Sequence, residues 1–223
     1  PPAKLEPGTY RNINGALATA YGLLAASEKI DLPIVYSGYP ITPASEILHV
    51  LAALKQFNVY TIQTEDEIAA ITMALGAAYG GSLGITGSSG PGLALKIEAL
   101  NLAVMTELPL VVFDYMRSGI STGMPTKTEQ GDLGMALFGR PSDSHVIVLA
   151  PSTAADCFWI SIEAVRLATK YMTPVVVLSE GFLISSSEPW KIPNLKEIPK
   201  IKTSFRTNPK GYLDRKSTRL NSS

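Results

Sequence analysis

Six short apolar runs alternate along this chain with six longer stretches of helical period. The runs are Pro33 to Ser37, Asn58 to Gln63, Leu83 to Gly87, Leu108 to Tyr115, His145 to Ala150 and Pro174 to Ser179. In Val111-Val112-Phe113 and Val175-Val176-Val177 no polar residue interrupts the apolar side chains, which is the pattern of a strand covered on both faces. The intervening stretches, residues 13–29, 43–56, 66–80, 91–106, 130–138 and 153–170, are rich in Ala and Leu and favour helix. Ser152-Thr153 reads as a helix cap and Pro174 as a clean strand start. Strands covered on both sides and separated by helices point to an α/β fold with a doubly wound parallel sheet.

Composition narrows the partners. The 223 residues are 46% apolar, ample for a core, and the formal charge is zero, so no long-range field favours a nucleic acid or a membrane surface. A single cysteine, Cys157, excludes an internal disulfide and any multi-cysteine metal site, in keeping with a cytoplasmic protein. No apolar run reaches the length of a membrane span. The chain opens on Pro1-Pro2-Ala3-Lys4 with neither an initiator Met nor a secretion signal, so residues 1–9 read as a linker from an upstream region. Residues 10–184 form the domain. From Ser185 onward Pro189, Pro193, Pro199 and Pro209 punctuate a stretch without period, so 185–213 reads as an extended linker toward a further domain. Residues 214–223 resemble the translation of a sequencing adaptor and read as a non-native tail. Without Arg215, Lys216, Arg219 and Asp214, the 19 basic and 19 acidic side chains become 16 and 18.

Ligands of a doubly wound sheet gather at the carboxyl ends of its strands, and the loops there are small and polar. Tyr39-Pro40-Ile41-Thr42-Pro43 is a turn stiffened by two prolines, able to present the Thr42 hydroxyl. Glu65-Asp66-Glu67 opens an Ala-rich helix, where the positive dipole end suits a carboxylate. Gly87-Ser88-Ser89-Gly90-Pro91-Gly92 could cradle an anion with its amides, or serve only as a tight turn; it has neither the Walker nor the dinucleotide spacing. The loop from Met116 to Gln130 is long and rich in Gly and hydroxyls, as functional loops are. Arg117 at its start has a planar fork suited to a carboxylate, or to a salt bridge with a distant acid.

Five ordered motifs, Tyr39 to Ile47, Glu65 to Ala70, Ser88 to Gly92, Arg117 to Gln130 and Lys170 to Val175, give the chain a specific likeness. From about Tyr10 to Leu213 it resembles the alpha subunits of 2-oxoacid:ferredoxin oxidoreductases, nearest to those acting on 2-oxoglutarate. The resemblance implies the pyrimidine-binding domain fold of a thiamine diphosphate enzyme. A beta subunit would hold the diphosphate, its Mg²⁺ and an iron-sulfur cluster. A gamma domain or subunit, ferredoxin and coenzyme A would complete an oxidative decarboxylation that yields acyl-CoA and CO₂.

Carried over residue by residue, Glu67 corresponds to the glutamate that hydrogen-bonds the aminopyrimidine and promotes its imino tautomer. Ala70 and Gly76 favour Glu67 over Glu65 in this register. A carboxyl held among apolar neighbours can share a proton with a ring nitrogen. Thr42 and Arg117 correspond to the residues at the 2-oxoacid, with Ser121 and Thr122 also on the substrate side. Tyr39, Pro40, Ser89 and Gly90 are expected beside the cofactor, and no residue is expected to bind metal. Ile120 stands where proline is common, Pro141 where histidine is common and Ala16 where asparagine is common, which bears on side-chain preference and loop shape.

Two other classes remain compatible with the residues. One is a non-catalytic anion-binding or assembly module of the same fold. The other is a stand-alone doubly wound enzyme such as an acyltransferase using Ser89, which lacks the nucleophile-elbow spacing and has only His49 and His145 for a base.

Overall fold

The computed structural model describes residues 4–203. Six parallel strands form the central sheet: β2 (Ile34–Gly38), β3 (Val59–Gln63), β4 (Leu83–Ser88), β5 (Leu110–Met116), β6 (Ile147–Leu149) and β7 (Pro174–Glu180). Their order is β3-β2-β4-β5-β7-β6. The helices between them are α1 (Gly15–Ile30), α2 (Ser45–Ala52), α3 (Glu67–Tyr79), α4 (Pro91–Thr106), α5 (Leu133–Phe138) and α6 (Asp156–Tyr171), followed by a short α7 (Gly181–Ser185).

Strand parity builds two cores. Val111, Phe113, Tyr115, Val175 and Val177 face one side, where they pack with Leu23 of α1, Ile47 and Leu51 of α2, and Phe158 and Val165 of α6. Leu110, Val112, Met116, Val176 and Leu178 face the other, with Ile71 of α3, Leu93 and Leu100 of α4, and Ala136 of α5. Each fully buried aliphatic side chain contributes about 1.5–3 kcal/mol, so these two layers are what hold the sheet.

Local chemistry sets the helix ends. Asn14 accepts the Leu17 amide at 2.9 Å, so α1 starts at Gly15 and the residues before it are released to form a strand. Thr153 accepts the Asp156 amide at 3.1 Å, while Ser152 donates to the Asp156 carboxylate, which makes the expected cap of α6 reciprocal. The expected 43–56 helix is shorter than its pattern, ending at Ala52 before a 3₁₀ turn over Lys55–Phe57 and a left-handed Asn58.

The stretch expected to lead away as a linker instead returns to the domain. β8 (Ser187–Lys191) pairs antiparallel with β1 (Tyr10–Asn14), and the Ile192 amide donates to the Thr9 carbonyl at 2.9 Å. Trp190 packs against Phe158 with ring centroids 5.2 Å apart, and Ile198 and Ile201 are buried in the first core. In a two-stranded ribbon Pro189 interrupts no central ladder, and one large aromatic ring anchors a strand too short to show a period. Residues 204–213 of that expected linker and the 214–223 tail lie outside the described residues.

Candidate active site

The sheet order reverses at β2: the chain goes from β2 outward to β3, then crosses back to β4 on the other side. That reversal opens a crevice at the carboxyl ends of β2 and β4, where open α/β sheets take their ligands. Tyr39 leaves the end of β2 and Ser88 ends β4, and their hydroxyls meet across the crevice at 2.9 Å. Burial and the neighbouring Glu67 push the Tyr39 phenol above its ordinary range against the opposing Ser88 contact, so the ring stays neutral.

Glu67 closes the third side. Asp66 caps α3 by accepting the Ala69 amide at 2.8 Å, so Glu67 is the first helical residue and turns its half-buried side chain inward, while Glu65 remains exposed. Gly92 makes this approach possible: a Cβ there would lie 2.1 Å from Ser88 Oγ, 2.6 Å from the Tyr39 hydroxyl and 3.1 Å from Glu67 Cγ. The glycine is needed because three side chains occupy the space a methyl group would take.

Arg117 and Thr42 meet beside this cluster. The Arg117 Nε donates to the Thr42 carbonyl at 2.9 Å, one terminal nitrogen donates to the same oxygen, and the other donates to the Thr122 carbonyl at 3.0 Å. The Thr42–Pro43 peptide is cis, and the Thr42 side chain is exposed. Gly90, with φ +43, lies beside Arg117 in the loop after β4: a Cβ on it would stand 3.5 Å from the Arg117 Cβ. Burial lowers the Arg117 guanidinium below its ordinary value, opposed by Tyr39 and Glu67, so the arginine and carboxyl groups share one field.

The loop after Arg117 is folded, not open. Ser118 and Met124 form an antiparallel bridge, and the Gly119 amide donates to the Glu129 carboxylate at 2.8 Å. Ser121 and Thr122 lie exposed at its tip, and Pro40 is exposed in the turn after β2.

Ser89 departs from expectation. Its side chain is fully buried and donates to the Tyr115 carbonyl at 2.6 Å, because parity turns Ser88 into the crevice and Ser89 toward β5. Its hydroxyl ties the loop to the sheet and offers neither a cofactor contact nor a nucleophile.

Three polar groups were not foreseen. Ser88 completes the hydroxyl pair with Tyr39. Lys96 of α4 is fully buried, donates to the Glu67 main-chain carbonyl at 2.8 Å, and lies 5.4 Å from the centre of the Tyr39 ring. Asp114 of β5 is buried with neither carboxylate oxygen hydrogen-bonded in good geometry; burial, then Asp132, holds its proton well above the ordinary carboxylate range. Lys96 lies on the stripe Gly92, Leu93, Lys96, Ala99, Leu100, Ala103, and Asp114 interrupts the longest apolar run, so both left a signal in the sequence.

The residues present fit the pyrimidine half of thiamine diphosphate. A carboxyl on the first turn of α3 and a neutral phenol beside it suit an aminopyrimidine. Among the described residues no group of three or more His, Cys, Asp and Glu could hold a metal, and the Cys157 thiol is buried and pushed up to about 12. No described helix is long and apolar enough to cross a membrane. A cavity of about 710 Å³ lies elsewhere, lined by Tyr21, Phe57, Phe158 and Trp190 among others.

Comparison with known proteins agrees with this geometry. The chain is 58% identical over 205 residues to the 2-oxoglutarate oxidoreductase subunit KorA of Mycobacterium tuberculosis, covering 92% of this chain and 31% of that one. It is 41% identical over 180 residues to the 2-oxoglutarate synthase subunit KorA of Archaeoglobus fulgidus, covering 80% and 51%. It superposes with a TM-score of 0.85 and 37% identity on the 2-oxoglutarate:ferredoxin oxidoreductase of Magnetococcus marinus, solved with 2-oxoglutarate, coenzyme A and succinyl-CoA bound, covering 93% of this chain and 36% of that one. The chain thus spans between about a third and a half of the length of these relatives. A family model described as pyruvate flavodoxin/ferredoxin oxidoreductase, thiamine diphosphate-binding, matches residues 29–218, and the chain belongs to that family.

Proposed function

We propose that this chain supplies the pyrimidine side of a thiamine diphosphate site in a cytoplasmic 2-oxoacid:ferredoxin oxidoreductase, with 2-oxoglutarate as the substrate and coenzyme A as the acyl acceptor. The observation that carries this is the placement of Glu67: an inward carboxyl on the first turn of α3, beside the Tyr39 phenol, at the point where the sheet order reverses. Thiamine diphosphate, when bound, supplies the carbanion chemistry that lets a 2-oxoacid lose CO₂.

This chain's part is to position and to move one proton. Glu67 would hold a ring nitrogen and exchange a proton with it, while Tyr39 and Ser88 fix the width of the crevice. Arg117, beside Thr42, would trade part of its hold on main-chain carbonyls for the carboxylate of the 2-oxoacid, a bidentate charge-assisted pair. Gly90, Tyr39 and Pro40 would shape the cofactor side, and Ser121 and Thr122 the substrate side. Diphosphate, Mg²⁺ and iron-sulfur chemistry fall to a beta subunit, with a gamma domain or subunit and ferredoxin as further partners.

The test is reconstitution with a beta subunit of this family. The assembly is expected to reduce ferredoxin in a reaction requiring both 2-oxoglutarate and coenzyme A, whereas this chain alone is expected to be inactive and to show no tight thiamine diphosphate binding by isothermal titration. An assembly that binds thiamine diphosphate yet reduces no acceptor with any 2-oxoacid would overturn the proposal.

A further inference from the structure

Among the described residues Lys96 is the one buried lysine or arginine, and packing alone does not call for it. Its place on α4 is one turn beyond Gly92, on a stripe otherwise made of Gly, Leu and Ala, where a methionine would fill the same volume. Removing an ammonium from water is costly unless the site gives something in return. What surrounds Lys96 is the candidate site itself: the Glu67 carbonyl at 2.8 Å and the face of the Tyr39 ring at 5.4 Å.

We infer that Lys96 is a positioning residue for this site, its ammonium holding the helix turn that carries Glu67 against the ring of Tyr39. The inference rests on the function proposed above. Three elements converge on the one charge. From α3 come the Glu67 carbonyl and the charges of Glu67 and Asp66; from β5 comes Asp114, itself faced by Asp132; from the loop after β2 comes the Tyr39 ring, which also feels Arg117. A neutral amine could still donate to the carbonyl, but it would lose its attraction to the ring face and to the acids. Burial pushes the Lys96 ammonium down to about 8, opposed by Glu67, Asp114 and Asp66, so the hold is strong at neutral pH and weakens just above it.

The experiment uses the assembled enzyme with thiamine diphosphate bound, comparing wild type with Lys96→Met. In the wild type, kcat is expected to fall along an alkaline limb near pH 8. In Lys96→Met, kcat at pH 7 is expected to be lower by about 10- to 100-fold, as for the loss of a charged hydrogen bond, with KM for the 2-oxoacid nearly unchanged and the alkaline limb gone. A second readout does not depend on turnover. Between about 8 and its ordinary value the unfolded lysine binds a proton that the folded one lacks, so wild-type stability should rise with pH there and the thermal midpoint should gain on that of Lys96→Met.

A Lys96→Met enzyme with wild-type kcat, or with the alkaline limb intact, would overturn the inference. Should the variant fail to assemble, a wild type with flat kcat from pH 7 to about 9.5 would overturn it equally. A wild-type assembly without 2-oxoacid turnover would instead bring down the functional reading and the role that depends on it, an outcome told apart by the wild type alone.

Discussion

Arg117 donates two of its hydrogen bonds to a single atom, the main-chain carbonyl oxygen of Thr42, 75 residues earlier in the chain. A third goes to the Thr122 carbonyl, so the fork joins the turn after β2 to the loop after β5. Two consequences follow for substitution. Arg117→Lys keeps the charge but loses the planar fork, so KM should rise for every 2-oxoacid. Arg117→Ala should cost more, about 2–5 kcal/mol in kcat/KM where the pair is desolvated, with cofactor occupancy little changed. A normal KM in Arg117→Ala, measured by steady-state kinetics on the assembled enzyme, would leave Arg117 as a tie between loops only.

Gly92 is expected to tolerate nothing larger. Three groups of the crevice stand within 3.1 Å of where its Cβ would be, and two of them are hydroxyls already bonded to each other. Gly92→Ala must therefore push α4 away from β4 or break the Tyr39–Ser88 contact. Either response should destabilise the domain by about 1–3 kcal/mol, as overpacking does. Turnover should fall beyond the loss in thermal midpoint, because the displaced groups are those that set the crevice width. Equal turnover in a folded Gly92→Ala enzyme would show that the crevice geometry is not used.

The buried acid Asp114 gives a pH-dependent expectation with a definite sign. Its proton is held more tightly in the folded state than in the unfolded chain, chiefly through burial and then through Asp132. A group of that kind contributes its full stability at low pH and loses it as pH rises through the folded value. Asparagine at this position has no charge to bury, and its amide can donate to the Asp132 carboxylate. Asp114→Asn should thus raise the thermal midpoint at neutral pH, with the advantage shrinking toward pH 4. Thermal denaturation at several pH values checks this, and a variant destabilised equally at all pH values would contradict it.

The sheet was legible because burial on both faces writes itself into unbroken apolar runs such as Val111 to Phe113 and Val175 to Val177, and the structure covers both. Glu67 stood out from the acidic run only through the likeness and its spacing to Ala70 and Gly76, and the Asp66 cap that sets it on the first turn of α3 shows only in the structure. The ribbon of β1 and β8 was not legible: Ser187-Glu188-Pro189-Trp190-Lys191 has one anchoring side chain, and its partner strand Tyr10–Asn14 is five residues long, the last two within the 13–29 stretch that reads as helix. Ser89 was misplaced because two adjacent serines look alike in sequence while parity sends them to opposite sides. Lys96 and Asp114 were overlooked for a different reason. A charge within an apolar stripe is easily taken for a solvated face, and only tertiary packing shows that α4 turns Lys96 toward the crevice.

The acidic run before α3 supplies the sharpest test of the site. Asp66 spends its carboxylate on the Ala69 amide, Glu65 precedes the cap and is exposed, and Glu67 alone turns toward Tyr39 and Gly92. Three adjacent acids thus have three separate tasks, and isosteric amides distinguish them. Glu67→Gln in the assembled enzyme should reduce kcat by about 10²- to 10⁴-fold, the range for a positioned proton-transfer group, with the fold intact because no cap is touched. Asp66→Asn should cost stability more than turnover, since asparagine still caps a helix well. Glu65→Gln should change neither by more than about 0.5 kcal/mol, as for an exposed surface position. Measured side by side for kcat and thermal midpoint, a greater loss of turnover in Glu65→Gln than in Glu67→Gln would mean that the proton passes through a different carboxyl.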